Sequence, residues 1–496
     1  MTKTSKFTHQ IQILKLATLS RLLLLTLTIL WRALLSPYDT SASLNPDCLA
    51  DPLPSQHSRN NPVGSAIENG VVWDSVYFVR IAQCGYEYEQ SFAFLPVLPI
   101  CIRLLSHSVL APLVRVIGYR AVLALSGYVV SNVAFLLAAV YFYRLSVMIL
   151  KDPEAALRAS MLFCFNPASI FYSSIYSESL YALFSVGGLY YLMSGANNIA
   201  VACLAVSGCA RSNGVVNAGY FCFQTMHQVY DALFVKKRVY LAMQILISGA
   251  LRCVCIFIPF IAFQVYGYCN LCLGLSPEEL RPWCRARIPL LYNFIQSHYW
   301  GVGFLKYFQL KQLPNFLLAS PILTLALCSI IYYVMAQPKL VFSLGFQTSK
   351  EGKDFAPVPF PLETVSLLNG VSASIQEKPS PKTEGSQNLR QRKQIHKENP
   401  AVLSLEYGSS VNSGYLSVYI LPFILHLSFM VATAFLVMHV QVATRFLSAS
   451  PSLYWFASYL MVSPGMGKRW GYLIWTYCAA YILLGSLLFS NFYPFT

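Results

Sequence analysis

The sequence predicts an all-α, polytopic membrane protein. Three observations carry this reading. Of 496 residues, 56% are hydrophobic and only 11% are charged, against about 25% charged in a typical soluble domain. About ten apolar segments approach the roughly 20 residues needed to cross a bilayer. Phe, Trp and Tyr make up 14% of the chain, and Trp and Tyr gather at membrane interfaces. A cytosolic globular enzyme of this size would need far more polar surface. The net charge of +15 does not argue for nucleic acid. The basic residues are mostly dispersed at the ends of apolar segments, where positive-inside topology wants them.

The elements follow in order. Lys3, Lys6 and Lys15 place the N-terminus in the cytosol, ahead of an apolar run from about Ile11 to Leu35 that reads as an uncleaved signal anchor. Residues 36–92 are polar at first and then carry the densest set of motifs; on this topology they form the first luminal loop. Apolar segments follow at about 93–117, 121–145, 159–176, 178–195, 199–224 and 240–266. A second luminal loop spans 267–314, and a further span covers about 315–336. The stretch 337–413 has the composition of a flexible linker, and its basic run Gln387–Lys397 suits the cytosol. The last spans fall at about 414–438 and 470–490, with an interfacial helix at 453–463 between them. The whole chain is then a single integral membrane domain with eight to eleven spans. Arg144, Lys151 and Arg158 fit this alternation poorly, since they fall on the luminal side if every span is real.

Of 14 cysteines, most sit in apolar runs and behave as small hydrophobes. Cys269, Cys272 and Cys284 cluster in a polar stretch, where a disulfide, free thiols or half a zinc site are the alternatives.

Acidic residues are scarce, so each one beside a span is a functional candidate. Trp73-Asp74 lies in the first luminal loop; Asp74 is either a general base in a partly desolvated site or a helix N-cap. Glu178, after Asn166-Pro167 and Tyr176-Ser177, either orders a sugar hydroxyl or a cation, or helps cap the next helix. Arg211-Ser212-Asn213-Gly214 offers a forked guanidinium to a phosphate, or is a plain turn. His298 and Trp300 sit in an aromatic, polar stretch that also suits an interface belt. His439, Gln441 and Arg445 follow a span and face either a polar headgroup or the membrane surface. No Asp-x-Asp pair is present to hold a divalent metal, and no nucleotide-binding loop appears. Together these features suggest a membrane-embedded site for a lipid-linked polar molecule.

Several blocks resemble the family of the second mannosyltransferase of GPI-anchor assembly. They are Trp73-Asp74 with Ala82–Pro96, Phe165–Phe171 with Tyr176-Ser177-Glu178, Ala210–Gly214, Tyr299–Tyr307, Leu310–Ala319 and Met438–Leu447, in the expected order. The resemblance implies a GT-C-type glycosyltransferase fold in the endoplasmic reticulum membrane, with a luminal active site. It implies dolichyl-phosphate-mannose as donor, a mannosyl-glucosaminyl-(acyl)phosphatidylinositol acceptor and a new α1,6 linkage. It also implies Asp74 as base with Trp73 as motif partner, no cofactor, and a place for a small membrane partner subunit. Where the family pattern can carry an acidic residue and a His after Trp-Asp, this chain has Ser75, Val76 and Tyr77. A carboxylate pair is therefore not expected there. The rival readings are a lipid transporter or scramblase, a non-catalytic subunit, or another dolichyl-phosphate-mannose-dependent GT-C enzyme.

Overall fold

The structure is a computed structural model that describes residues 3–38, 48–49, 61–274, 276, 278, 280–346 and 414–493. The described residues form helices and no strand. This follows from the setting: inside a bilayer a helix satisfies its own backbone hydrogen bonds. In chain order the helices used below are α1 (Lys3–Leu34), α2 (Pro62–Asn69), α3 (Asp74–Cys84), α4 (Val97–His107), α5 (Tyr119–Leu150), α6 (Pro153–Cys164), α7 (Glu178–Met193), α8 (Asn197–Ala210) and α9 (Ala218–Tyr230). They continue with α10 (Val239–Cys272), α11 (Leu291–Tyr299), α12 (Leu313–Ala336), α13 (Leu421–Leu436), α14 (Pro451–Met461) and α15 (Gly467–Ser490).

Six of these are long and apolar enough to cross a membrane: α1, α5, α10, α12, α13 and α15. The chain is thus a multi-pass membrane protein. The segments read from sequence as spans at 159–176 and 199–224 are each broken. α6 stops at Cys164, because Asn166 accepts from the Ala168 amide and bonds back to the Phe163 carbonyl ahead of Pro167. α8 stops at Ala210, where Arg211 is extended at φ −146°. Gly214 then folds the next turn against α8; a Cβ there would lie 2.3 Å from the Ser207 carbonyl. Apolar composition alone does not reveal such breaks.

The segment at 93–117 is also bent, by 70° between α4 and Ala111–Ile117. It starts beside the Trp73-Asp74 stretch and ends against α2, where Asn61 bonds the Val116 carbonyl. A re-entrant course resolves the charge pattern. Arg144 donates to Gln10 at 3.3 Å, and His9 bonds Tyr143 at 3.0 Å. Arg144 therefore lies at the N-terminal end of α1, not at the end that holds Asp74. Lys236, paired with Asp231 at 2.6 Å, ends the segment after α9. His227 of α9 meets the Leu344 carbonyl at 2.9 Å. The start of the expected linker is ordered, with a helical turn at Pro338–Phe342. The rest of that linker, including the basic run, lies outside the described residues.

Candidate active site

Two disulfides frame the opposite end of the bundle. Cys48–Cys84 ties the C-terminus of α3, and Cys272–Cys284 ties the C-terminus of α10 to the segment before α11. Of the three cysteines clustered in sequence, Cys272 and Cys284 pair while Cys269 stays free and exposed. A zinc site there loses two of its ligands to the bond. Glu89 clamps the same cap: its carboxylate accepts from Trp283 at 2.7 Å and from Tyr299 at 2.6 Å. Arg80 and Glu87 close a further pair at 2.6 Å. Replacing Cys284 with Ser should loosen this cap. A loop of about this length contributes roughly 3 kcal/mol, so limited proteolysis between α10 and α11 should speed up while the spans stay protected.

Beneath this cap lies a cavity of about 410 Å³. Trp73 and Asp74 line it, with Glu178, Arg211, Trp300, His439, Gln441 and Arg445. Residues scattered over 370 positions thus converge on one hollow. His298 and Asn213 do not line it. His298 is exposed and stacks on Phe294 at 4.9 Å, because it faces away from the wall that Tyr292 and Gln296 form on the same helix. Asn213 is buried beside the cavity with its amide nitrogen unpartnered.

Asp74 is the first residue of α3, but it does not cap the helix. The N-cap position is Trp73, which makes no capping bond. Trp73 holds φ +54°, a conformation that strains a bulky residue by about 1–3 kcal/mol. Its indole nitrogen donates to the Phe489 carbonyl at 3.1 Å, which holds it there. Freed from capping, the Asp74 carboxylate is 36% exposed and meets Arg445 Nη1 at 3.2 Å.

Glu178 opens α7 in the same way; Ser177 gives no capping bond. Its side chain is 2% exposed and bonded to Arg211. Arg445 Nε lies 3.9 Å from the same carboxylate oxygen. The other oxygen of Glu178 is buried without a partner. Two carboxylates and two guanidinium groups therefore alternate as Asp74, Arg445, Glu178, Arg211, so the formal charges of the row cancel. Burial disfavours the Arg445 cation, but Asp74 and Glu178 more than offset this and hold its pKa above the ordinary guanidinium value. The Arg445 guanidinium also lies 5.2 Å from the Phe171 ring and 5.7 Å from the Tyr176 ring.

The remaining wall is polar and aromatic. Ser212 and Tyr292 share a hydrogen bond at 2.8 Å. Gln441 accepts from Tyr307 at 2.8 Å, and His439 stacks on the same ring at 4.6 Å. Burial lowers the His439 pKa, opposed by a backbone hydrogen bond at Trp300, so this imidazole is neutral at neutral pH. The cavity thus pairs one accessible carboxylate with fixed cations, which suits proton abstraction next to an anionic leaving group.

The mannosyltransferase (PIG-V) family model matches residues 10–496. The chain belongs to this family. It is therefore a glycosyltransferase, and the cavity is its candidate active site. Its relatives include the human GPI alpha-1,6-mannosyltransferase 2, 31% identical over 78% of this chain and 72% of the relative. The Cricetulus griseus protein of that name is 29% identical over 91% of this chain and 84% of its own length. The Drosophila pseudoobscura GPI mannosyltransferase 2 is 29% identical over 86% of both chains. No solved structure matches with statistical significance.

Sequence reasoning named eight of the lining residues and missed others. Tyr176 stood inside a quoted block without a role, two positions before Glu178. Gln296 opened the aromatic, polar stretch that holds His298 and Trp300 but was given no role, and Tyr292 and Phe489 carried no signal, since aromatic side chains near a membrane are common.

Proposed function

We propose that this mannosyltransferase adds the second mannose, in α1,6 linkage, to the mannosyl-glucosaminyl-(acyl)phosphatidylinositol intermediate of GPI-anchor assembly. The names carried by the relatives support the substrate and linkage. The donor is dolichyl-phosphate-mannose, and the reaction takes place on the luminal face of the endoplasmic reticulum. Two disulfides at the Asp74 end of the bundle support an oxidising compartment on that side. The observation that carries the reading is the single accessible carboxylate, Asp74, set beside Arg445 in the cavity.

The chemistry is one inverting displacement. Asp74 takes the proton of the acceptor hydroxyl while its oxygen attacks the anomeric carbon. The bond from that carbon to the donor phosphate oxygen breaks, and dolichyl phosphate leaves with the electron pair. An inverting hydrolase needs a second carboxylic acid for its leaving group. A phosphate leaves as a stable anion and needs none, so one base is sufficient. Arg445 and Arg211 stabilise the phosphate charge. The unpartnered oxygen of Glu178 supplies an acceptor for a mannose hydroxyl, and His439, Gln441 and Trp300 complete the sugar-facing wall. Trp73 fixes the direction of Asp74.

In this cavity Asp74 pairs with Arg445 and Glu178 with Arg211, which supports transfer without a metal ion. The one His, Cys, Asp and Glu group close enough to hold a metal, among the described residues, is Cys48, Cys84 and Glu87, and its two thiols are joined. Transfer should accordingly survive washing with EDTA; loss of activity restored by a divalent cation would overturn this metal-free mechanism. The deciding experiment is genetic. Cells lacking the chain should accumulate the one-mannose GPI intermediate, and re-expression should clear it. Accumulation of a different intermediate would move the enzyme to another step.

A further inference from the structure

The N-terminus of α3 has no capping side chain of its own, yet its first amide is satisfied from elsewhere. The Asp74 backbone N–H donates to the Tyr176 hydroxyl at 3.1 Å. Tyr176 lies just before α7 and is 3% exposed. Its ring is fixed by Phe171 at 5.3 Å, Phe489 at 5.5 Å and Phe78 at 6.3 Å. Arg445 rests 5.7 Å above the same ring. Phe489 in turn supplies the carbonyl that anchors Trp73. One tyrosine therefore touches the backbone of the base and the side chain of its cationic partner.

We infer that Tyr176 is a positioning residue that sets Asp74 and Arg445 relative to each other. Its hydroxyl acts as the N-cap that Trp73 cannot be, and its ring is the surface on which the guanidinium lies. Trp73 and Tyr176 hold the Asp74 backbone from two sides, which is what keeps a strained turn in one orientation. The inference rests on the mannosyl-transfer reading above and adds to it a residue outside the expected set.

The test uses the full chain in detergent, with dolichyl-phosphate-mannose and the one-mannose acceptor. Tyr176→Phe deletes the hydroxyl and keeps the ring. Misplacing a base by about 1 Å costs up to about 100-fold. The expected result is a kcat lower by about 10- to 100-fold, with the donor KM within about twofold, since binding groups are untouched. The unfolding midpoint should fall only slightly, as the loss of one capping hydrogen bond requires. Tyr176→Leu removes the ring as well, and the donor KM should then also rise as Arg445 loses its support. Wild-type kcat in Tyr176→Phe would overturn the inference. So would a loss of folded protein large enough to account for the fall in kcat, which marks a merely structural residue. The unmodified chain, assayed alongside, separates the two readings: no transfer by it sinks the mannosyl-transfer reading itself, while normal transfer with an unaffected Tyr176→Phe removes only the role of Tyr176.

Discussion

Replacing Asp74 with Asn should cut mannose transfer by about 10²- to 10⁴-fold, the usual contribution of a general base. Protein abundance and the unfolding midpoint should not change. Asn has nearly the same shape and still offers an oxygen to Arg445 at the 3.2 Å contact. Arg445 also keeps Glu178, 3.9 Å away. What is lost is the capacity to take a proton. Asp74→Glu sharpens the test. It keeps the carboxylate but shifts it by roughly 1 Å, enough for about a 100-fold loss. A base must sit within hydrogen-bond reach of the hydroxyl it deprotonates, so a carboxylate in the wrong place rescues little. Near-normal transfer by Asp74→Asn in a microsomal assay would remove Asp74 as the base and leave the cavity without another accessible carboxylate.

Replacing Arg211 with Ala should destabilise the protein by about 3–5 kcal/mol, the cost of stranding one partner of a buried ion pair. Glu178 is 2% exposed and Arg211 is its bonded partner. With Arg211 gone, only the more distant Arg445 remains to offset its charge, and that arginine is shared with Asp74. The double variant Glu178→Gln with Arg211→Ala should recover much of the loss, because the stranded charge is neutralised. Denaturant unfolding in detergent measures both. Equal destabilisation in single and double variants would mean that the pair contributes little and that packing around Arg211 dominates. Activity should stay low in the double variant even where stability returns, since the cation proposed to face the donor phosphate is still absent.

Much of this architecture was legible in the residues. Composition gave the membrane, because nothing else tolerates so little charge across 496 residues. Scarcity of acids then pointed to Asp74 and Glu178, and both lie in the cavity. The arginines were read as candidate phosphate partners, and nothing in the sequence marked them as partners of those acids; Asp74 and Arg445 are 371 positions apart, and no local pattern encodes such a meeting. Span boundaries were less readable. Asn166-Pro167 is a visible breaker, whereas the stop at Ala210 depends on Gly214 packing back against Ser207, a tertiary contact. The bend in residues 97–117 was hidden for the same reason, and with it the side on which Arg144 lies. His298 illustrates the opposite error: an aromatic, polar stretch shows which residues are near the site, but helix phase decides which of them face it.

The row of alternating charges also has a consequence for how the enzyme is made. Glu178 and Arg211 are 33 positions apart, so they meet while the chain is still being synthesised. Asp74 must wait for Arg445. At about 5–20 residues per second, that interval is roughly 20–70 s. Until the last helices arrive, the site has neither the cation beside its base nor the Phe489 carbonyl that holds Trp73. On the proposed mechanism the nascent chain is therefore inert, and transfer begins only at the close of translation.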